Sequence, residues 1–113
     1  MIGHVYYYGA VFRDKILGAQ RADLIDPMKS ALECGLTPTI HSDYNCQPVD
    51  PLRCIYNAVT RIMKDNGEVL NYKECVSPYQ AVKAMTINAA WQCHMEDIVG
   101  SLKKGKFADF VIL

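Results

Sequence analysis

Three helical stretches in this chain open on an N-capping residue directly before proline: Asp26-Pro27, Asp50-Pro51 and Ser77-Pro78. Proline holds φ near its helical value and lacks only an N–H that the first helical turn leaves unbonded, so each pair marks a helix start. The first opens PMKSALECG, with Met28, Ala31 and Leu32 on one face and Gly35 as the C-terminal stop. The second opens PLRCIYNAVTRIMKDNG, where Leu52, Ile55, Tyr56, Val59, Ile62 and Met63 keep helical spacing up to Asn66-Gly67. The third, PYQAVKAMTINAAW, is apolar at Val82, Met85, Ala89 and Ala90, with a break expected near Thr86.

Three other segments read as strands. IGHVYYYGAVF is rich in β-formers up to Gly9, LTPTIHS is a short apolar run, and KFADFVIL offers Phe107, Phe110 and Ile112 to a core. Alternation with helices predicts that the first two run parallel in an α/β fold. A chain of 113 residues makes one small domain, whereas a complete (β/α)8 barrel takes about 200–250 residues. It begins beside one apolar strand and stops inside another without a polar tail at either end. This suggests a slice of a larger protein, or a subunit that finds missing neighbours by homo-oligomerisation, because unpaired strand edges invite pairing. A complete small α/β domain is the alternative.

Half of the residues are apolar, 21% are charged and the formal charge is zero, which gives no electrostatic case for nucleic acid or an anionic membrane. No apolar run approaches the roughly 20 residues that cross a bilayer, and the N-terminal stretch lacks a basic leader. Neither nucleic acid nor membrane is an expected partner. Cys34, Cys46, Cys54, Cys75 and Cys93 are odd in number and form no C-x-x-C pair, as suits reduced thiols in a cytoplasmic protein. A thiol or metal site from Cys46, Cys54 and the histidines would require those atoms to converge.

The triplet His41-Ser42-Asp43 follows LTPTI directly. Either it is the mouth of an active site or an ordinary strand exit with Asp43 capping a turn. The ordered segments GHVYYYGAVF, GAQRADLIDPMKSALECGLTPTIHSD, PVDPLRCIYNAVTR, VSPYQAVKAMTINAAWQC and EDIVGSLKKGKFADFVIL resemble the C-terminal part of metal-dependent amidohydrolases. The similarity is greatest to the branch of N-substituted formamide deformylases and exoenzyme-regulator-like proteins. Its most specific pieces are HSD followed by DPL and AVTR, then T-x-N-A-A, then GS-L-x-x-GK-x-AD-F-V-I-L.

The resemblance implies a C-terminal slice of a (β/α)8 TIM barrel over residues 1–98, returning over 99–113 as a strand of an accessory β-sandwich. It places Asp43 at the rim of the eighth strand as metal ligand and catalytic proton acceptor, for a carboxylate can ligate a divalent ion and still accept a proton. His4 matches a histidine after the seventh strand; it contacts substrate or is satisfied within a strand. His41 and Ser42 shape the strand end, with His41 orienting the carboxylate from behind. Arg61 is a structural ion-pair partner or a rim residue, Lys103, Lys104 and Lys106 form a solvated turn, and His94 is superficial.

The family's early H-x-H pair, bridging Lys or Glu and two later metal histidines have no counterpart in this chain. Ala10 replaces a frequent Asp, and HSDYNCQPVD carries extra residues where relatives run HSDAPV, placing Tyr44, Asn45 and Cys46 at the rim. The expected function is a C-terminal fragment of a metal-dependent amidohydrolase hydrolysing non-peptide C–N bonds of a small amide-type substrate. Zinc or another divalent metal belongs to the complete enzyme. This chain alone, without the N-terminal barrel portion, binds it weakly and is catalytically silent. The alternative is a non-catalytic regulatory or interaction module on the same scaffold.

Overall fold

Two of the three proline-led helices start as the capping pattern dictates. In the computed structural model, which describes residues 3–112, Asp50 accepts the Arg53 N–H at 2.9 Å and opens helix α4, Pro51–Thr60. Ser77 and Gln80 form a reciprocal capping box that opens α5, Pro78–Met85. The break at Thr86 is present, with φ −119° and ψ −92°, before α6, Ile87–Gln92.

The third start is displaced. Helix α3, Met28–Glu33, has no side-chain cap from Asp26 or Pro27, and Asp26 sits at φ +48°. The capping role falls to Glu74, 44 residues on, in the 3-10 turn Tyr72–Glu74. Its carboxylate accepts the Ser30 N–H at 3.0 Å and also the Ser30 hydroxyl. A carboxylate at a helix N-terminus satisfies amides that have no partner within the helix. Burial alone would raise the Glu74 carboxyl, yet the bonds from Ser30, the Lys29 amide and the charge of Arg61 hold it below its usual range.

The first expected strand is a helix. Residues Gly3–Val11 form α1, which continues through a π-helical turn, Phe12–Ile16, to a short α2, Ala19–Ala22. Val5 and Gly9, one turn apart, bury one face. A Cβ on Gly9 would lie 2.9 Å from Met63 Cγ, so glycine permits the close approach. Consecutive tyrosines fan around the helix, with Arg53 5.0 Å over the Tyr6 ring and Lys64 5.5 Å over Tyr7. β-propensity expresses packing against ladder neighbours. Among the described residues the one pairing is an isolated antiparallel bridge, Ile62 to Val69. LTPTIHS and residues 106–112 carry no ladder, and the parallel pair expected from alternation is absent among the described residues. Ile2 and Leu113, the outer ends of the first and last expected strands, lie outside the described residues.

Helix α4 stops six residues before Asn66-Gly67. Arg61 takes the left-handed conformation, φ +51°, and its N–H bonds to Asn57 O at 2.8 Å. Asn66-Gly67 instead turns the chain between the bridged residues, as that dipeptide favours in hairpins. Arg61 is wholly buried, and its guanidinium donates to three main-chain carbonyls: Leu70 at 2.7 Å, Ile25 at 2.9 Å and Asp26 at 3.0 Å. Arg61 is therefore a clamp on main chain where an ion pair or rim position was expected. Burial pushes its pKa down, and the negative charge of Asp26 opposes that shift.

The core gathers Val5, Ala22, Met28, Ile40, Cys54, Ala58, Met63, Leu70, Val76, Ala81 and Ala84. The buried faces of α4 and α5 are rotated in part from the expected ones: Cys54, Asn57 and Ala58 point inward on α4, Ala81 and Ala84 on α5, the expected Ile55, Val59 and Met85 pack half-buried against the core, and Leu52, Tyr56 and Val82 are exposed. Small side chains let the two helices approach and turn the larger ones outward. Phe107, Phe110 and Ile112, expected in a core, are exposed. Lys106 is not simply solvated, since its ammonium donates to Glu96 O and Val99 O. His94 is exposed, as expected.

Candidate active site

The break at Thr86 prepares the position of the HSD triplet. A helix leaves its last carbonyls without internal partners, and Ala84 O near the end of α5 accepts the Ile40 N–H at 3.4 Å. Asn88 Nδ2 donates to Pro38 O at 3.0 Å, and the Thr39 hydroxyl donates to Gln92 Oε1 at 2.7 Å. The α5–α6 corner thus holds residues 38–40 and delivers His41, Ser42 and Asp43 to one place.

There the triplet meets the start of α1. His4 Nε2 lies 3.8 Å from Asp43 Oδ2, with the histidine side chain 18% and the aspartate 40% exposed. Two residues 39 apart in sequence are brought together with open access to the carboxylate. Asp43 occupies the left-handed region at φ +58°, where Asp is tolerated better than most residues. Its main-chain N–H donates to His41 Nδ1 at 3.1 Å. The acceptor role of Nδ1 puts the proton of the neutral ring on Nε2. His41 accordingly orients the main chain of Asp43, where an influence on the carboxylate was expected. Ser42 contributes its carbonyl to the same turn.

Three contacts that the sequence did not single out complete the arrangement. The Tyr8 hydroxyl, one helical turn after His4, donates to Cys46 O at 2.9 Å. Gln47 is 3% exposed. With its amide oriented to meet complementary groups on both sides, its nitrogen donates to Ser42 O at 3.1 Å and its oxygen accepts the His4 N–H at 3.2 Å. Gly3 makes room for that amide, because a Cβ there would come within 2.6 Å of Gln47 Cδ. The His4/Tyr8 spacing of four is a usable signal only once GHVYYYG is read as a helix.

A divalent metal, expected from the resemblance, finds two neighbouring donors here, the accessible Asp43 carboxylate and His4 Nε2. Among the described residues no group of three or more His, Cys, Asp or Glu side chains comes together to hold an ion, so the residues present do not fit a complete metal centre. Cys46 and Cys54 do not build one either: Cys46 is exposed on the loop, while Cys54 lies in the core, where burial and the charge of Asp50 push its thiol pKa up. No helix among the described residues is long and apolar enough to cross a membrane.

The resemblance to amidohydrolases is borne out by comparison with known proteins. The family model described as "Amidohydrolase family" matches residues 2–113. The chain is 33% identical over 99 residues to "Putative amidohydrolase YtcJ" of Bacillus subtilis, covering 86% of this chain and 19% of that protein. It is 30% identical over 87 residues to "N-substituted formamide deformylase" of Arthrobacter pascens, covering 77% and 16%. It is 35% identical over 100 residues to "Protein LONG AFTER FAR-RED 3" of Arabidopsis thaliana, covering 88% and 17%. The chain spans under a fifth of the length of these curated relatives. No solved structure matches it significantly. With a family match running through both Asp43 and the α1 residues that face it, the chain belongs to the amidohydrolase family.

Proposed function

We propose that this chain is the C-terminal portion of a metal-dependent amidohydrolase that cleaves non-peptide C–N bonds, of amide or formamide type, in a small molecule. The observation that carries the reading is the convergence of His4 on the accessible Asp43 carboxylate at the HSD turn of an amidohydrolase sequence. In this reading the chain supplies the closing part of a (β/α)8 barrel and a return segment of an accessory sandwich, whose sheet partners come from an N-terminal portion. Asp43 is one ligand to a divalent metal, zinc by preference, and the carboxylate that takes a proton from the attacking water. His4 lies against the substrate side of Asp43, and His41 fixes the Asp43 main chain. When bound, the metal supplies Lewis acidity and a more acidic water.

One carboxylate does not hold such an ion tightly, so the chain by itself is catalytically silent and its missing partner is the N-terminal barrel portion. The exposed apolar side chains also favour homo-oligomerisation, and the five free thiols suit a reducing cytoplasm. A second reading, a regulatory or interaction module that keeps the scaffold without the chemistry, draws support from the similarity to a relative whose name carries no enzyme activity, "Protein LONG AFTER FAR-RED 3". Co-expression with the N-terminal portion encoded by the intact gene separates the two. Zinc retention and hydrolysis of N-acyl or formamide substrates are expected of the assembled protein and not of the chain alone. An assembled protein that is soluble and inert towards both would favour the second reading.

A further inference from the structure

The loop that carries Asp43 touches α1 through a buried side chain with no role in the chemistry above. Gln47 is almost fully enclosed, and both atoms of its amide are used, one on Ser42 O and the other on the His4 N–H. The His4 N–H belongs to the first turn of α1, where helical amides lack partners within the helix. Gln47 therefore closes two open ends at once, the start of α1 and the turn leading into Asp43. An amide suits this place because one side must accept and the other must donate; a carboxylate cannot donate and a hydrocarbon can do neither. Gly3 keeps the seat open, since any side chain there would strike Gln47 Cδ. The Tyr8 hydroxyl on Cys46 O ties the residue next to Gln47 to the same helix.

We infer that Gln47 is a positioning residue that sets the His4–Asp43 separation by coupling the first turn of α1 to the Ser42 carbonyl. The inference rests on the proposed role of Asp43 for its catalytic consequence, although not for its geometry. Gln47→Met keeps the length and bulk of the side chain and removes both hydrogen bonds, which separates packing from positioning.

In the unaltered chain, NMR is expected to show a through-hydrogen-bond coupling between the His4 amide nitrogen and Gln47 Cδ, together with nuclear Overhauser contacts from the His4 ring to the Asp43 β-protons. In Gln47→Met, the coupling and those contacts vanish and His4 amide exchange quickens at least about tenfold, while α4 and α5 keep their protection. In the assembled enzyme, kcat falls about 10- to 100-fold, the range for partners that orient a ligand, with KM unchanged. Absence of the coupling in the unaltered chain overturns the inference, even if Gln47→Met fails to fold. So does persistence of the His4–Asp43 contacts in Gln47→Met. Asp43→Asn reads the other question. If it leaves kcat intact while Gln47→Met still parts His4 from Asp43, the catalytic reading fails and the positioning role stands; if Asp43→Asn abolishes turnover and Gln47→Met alters nothing, the reverse holds.

Discussion

Replacing Arg61 with alanine removes three donors at once from the junction of α4, the Ile25–Asp26 turn and Leu70. The bond to Leu70 O is fully buried, and those to Ile25 O and Asp26 O are partly so. An unsatisfied buried acceptor costs about 1–3 kcal/mol. Counting Leu70 O in full and the other two near the low end, because water can reach them, gives a loss of about 3–5 kcal/mol. That is a large fraction of the roughly 5–15 kcal/mol that holds a domain folded. The left-handed backbone at φ +51° adds a second, separable term. Arg61→Gly should lose the same clamp but recover about 1 kcal/mol, because glycine adopts that conformation without Cβ strain. Arg61→Lys, which keeps the charge but not the planar fork, should fall between alanine and the parent. Urea unfolding at pH 7, followed by circular dichroism at 222 nm, measures all three. A loss under about 1 kcal/mol for Arg61→Ala would refute the clamp argument, and a glycine variant less stable than the alanine one would refute the backbone term.

The Glu74 carboxyl is held below its usual 4.5 in the folded state, so the stability it contributes is present above that value and is lost as pH falls through the folded pKa. Urea midpoints between pH 6 and pH 3 should decline on that account, and Glu74→Gln should lower stability at pH 7 while flattening the acid-side decline. Ser77→Ala removes the capping box of α5 and should cost about 1 kcal/mol, read as a shifted urea midpoint with an unchanged slope; no shift would mean that Gln80 compensates. Phe107, Phe110 and Val111 stand 66–78% exposed beside a groove of about 990 Å3 along α5 and α6, and Ile112 is 88% exposed. Such apolar surface favours association, so light scattering should report a dimer or larger species, and a stable monomer at roughly tens of micromolar, a range where micromolar contacts register, would count against it.

Local chemistry was legible wherever a few neighbouring residues decide the outcome. Asp50-Pro51 and Ser77-Pro78 start helices because a side-chain oxygen three residues away reaches an orphan amide. Thr86 ends one, with its hydroxyl on Val82 O at 2.7 Å. Failures arose where distant groups decide. Asp26-Pro27 has the same appearance as the other two pairs, but Glu74 caps α3 from 44 residues away. The apolar spacing of Ile62 and Met63 continues a helical stripe that Arg61 interrupts for carbonyls at Ile25, Asp26 and Leu70. GHVYYYG is composed of strand formers, yet strand propensity has no effect without a ladder to join. At the site, Asp43 was visible through its motif and His4 through a match of position. Gln47 was not visible, because only the fold brings its amide between His4 N–H and Ser42 O.

In the proposed function the Asp43 carboxylate carries the chemistry, while Asp50 of the same loop region caps a helix. Asp43→Asn and Asp50→Asn, made separately in the protein assembled with its N-terminal portion, test this directly. Asp43→Asn keeps the shape but removes the proton acceptor and the charge, so kcat is predicted to fall at least about a hundredfold. Asp50→Asn, an acceptable N-cap on the Arg53 amide, should leave kcat near normal and cost about 1 kcal/mol or less. Equal and small effects on kcat from the two substitutions, in an otherwise active assembly, would contradict the account and leave His41-Ser42-Asp43 as an ordinary turn.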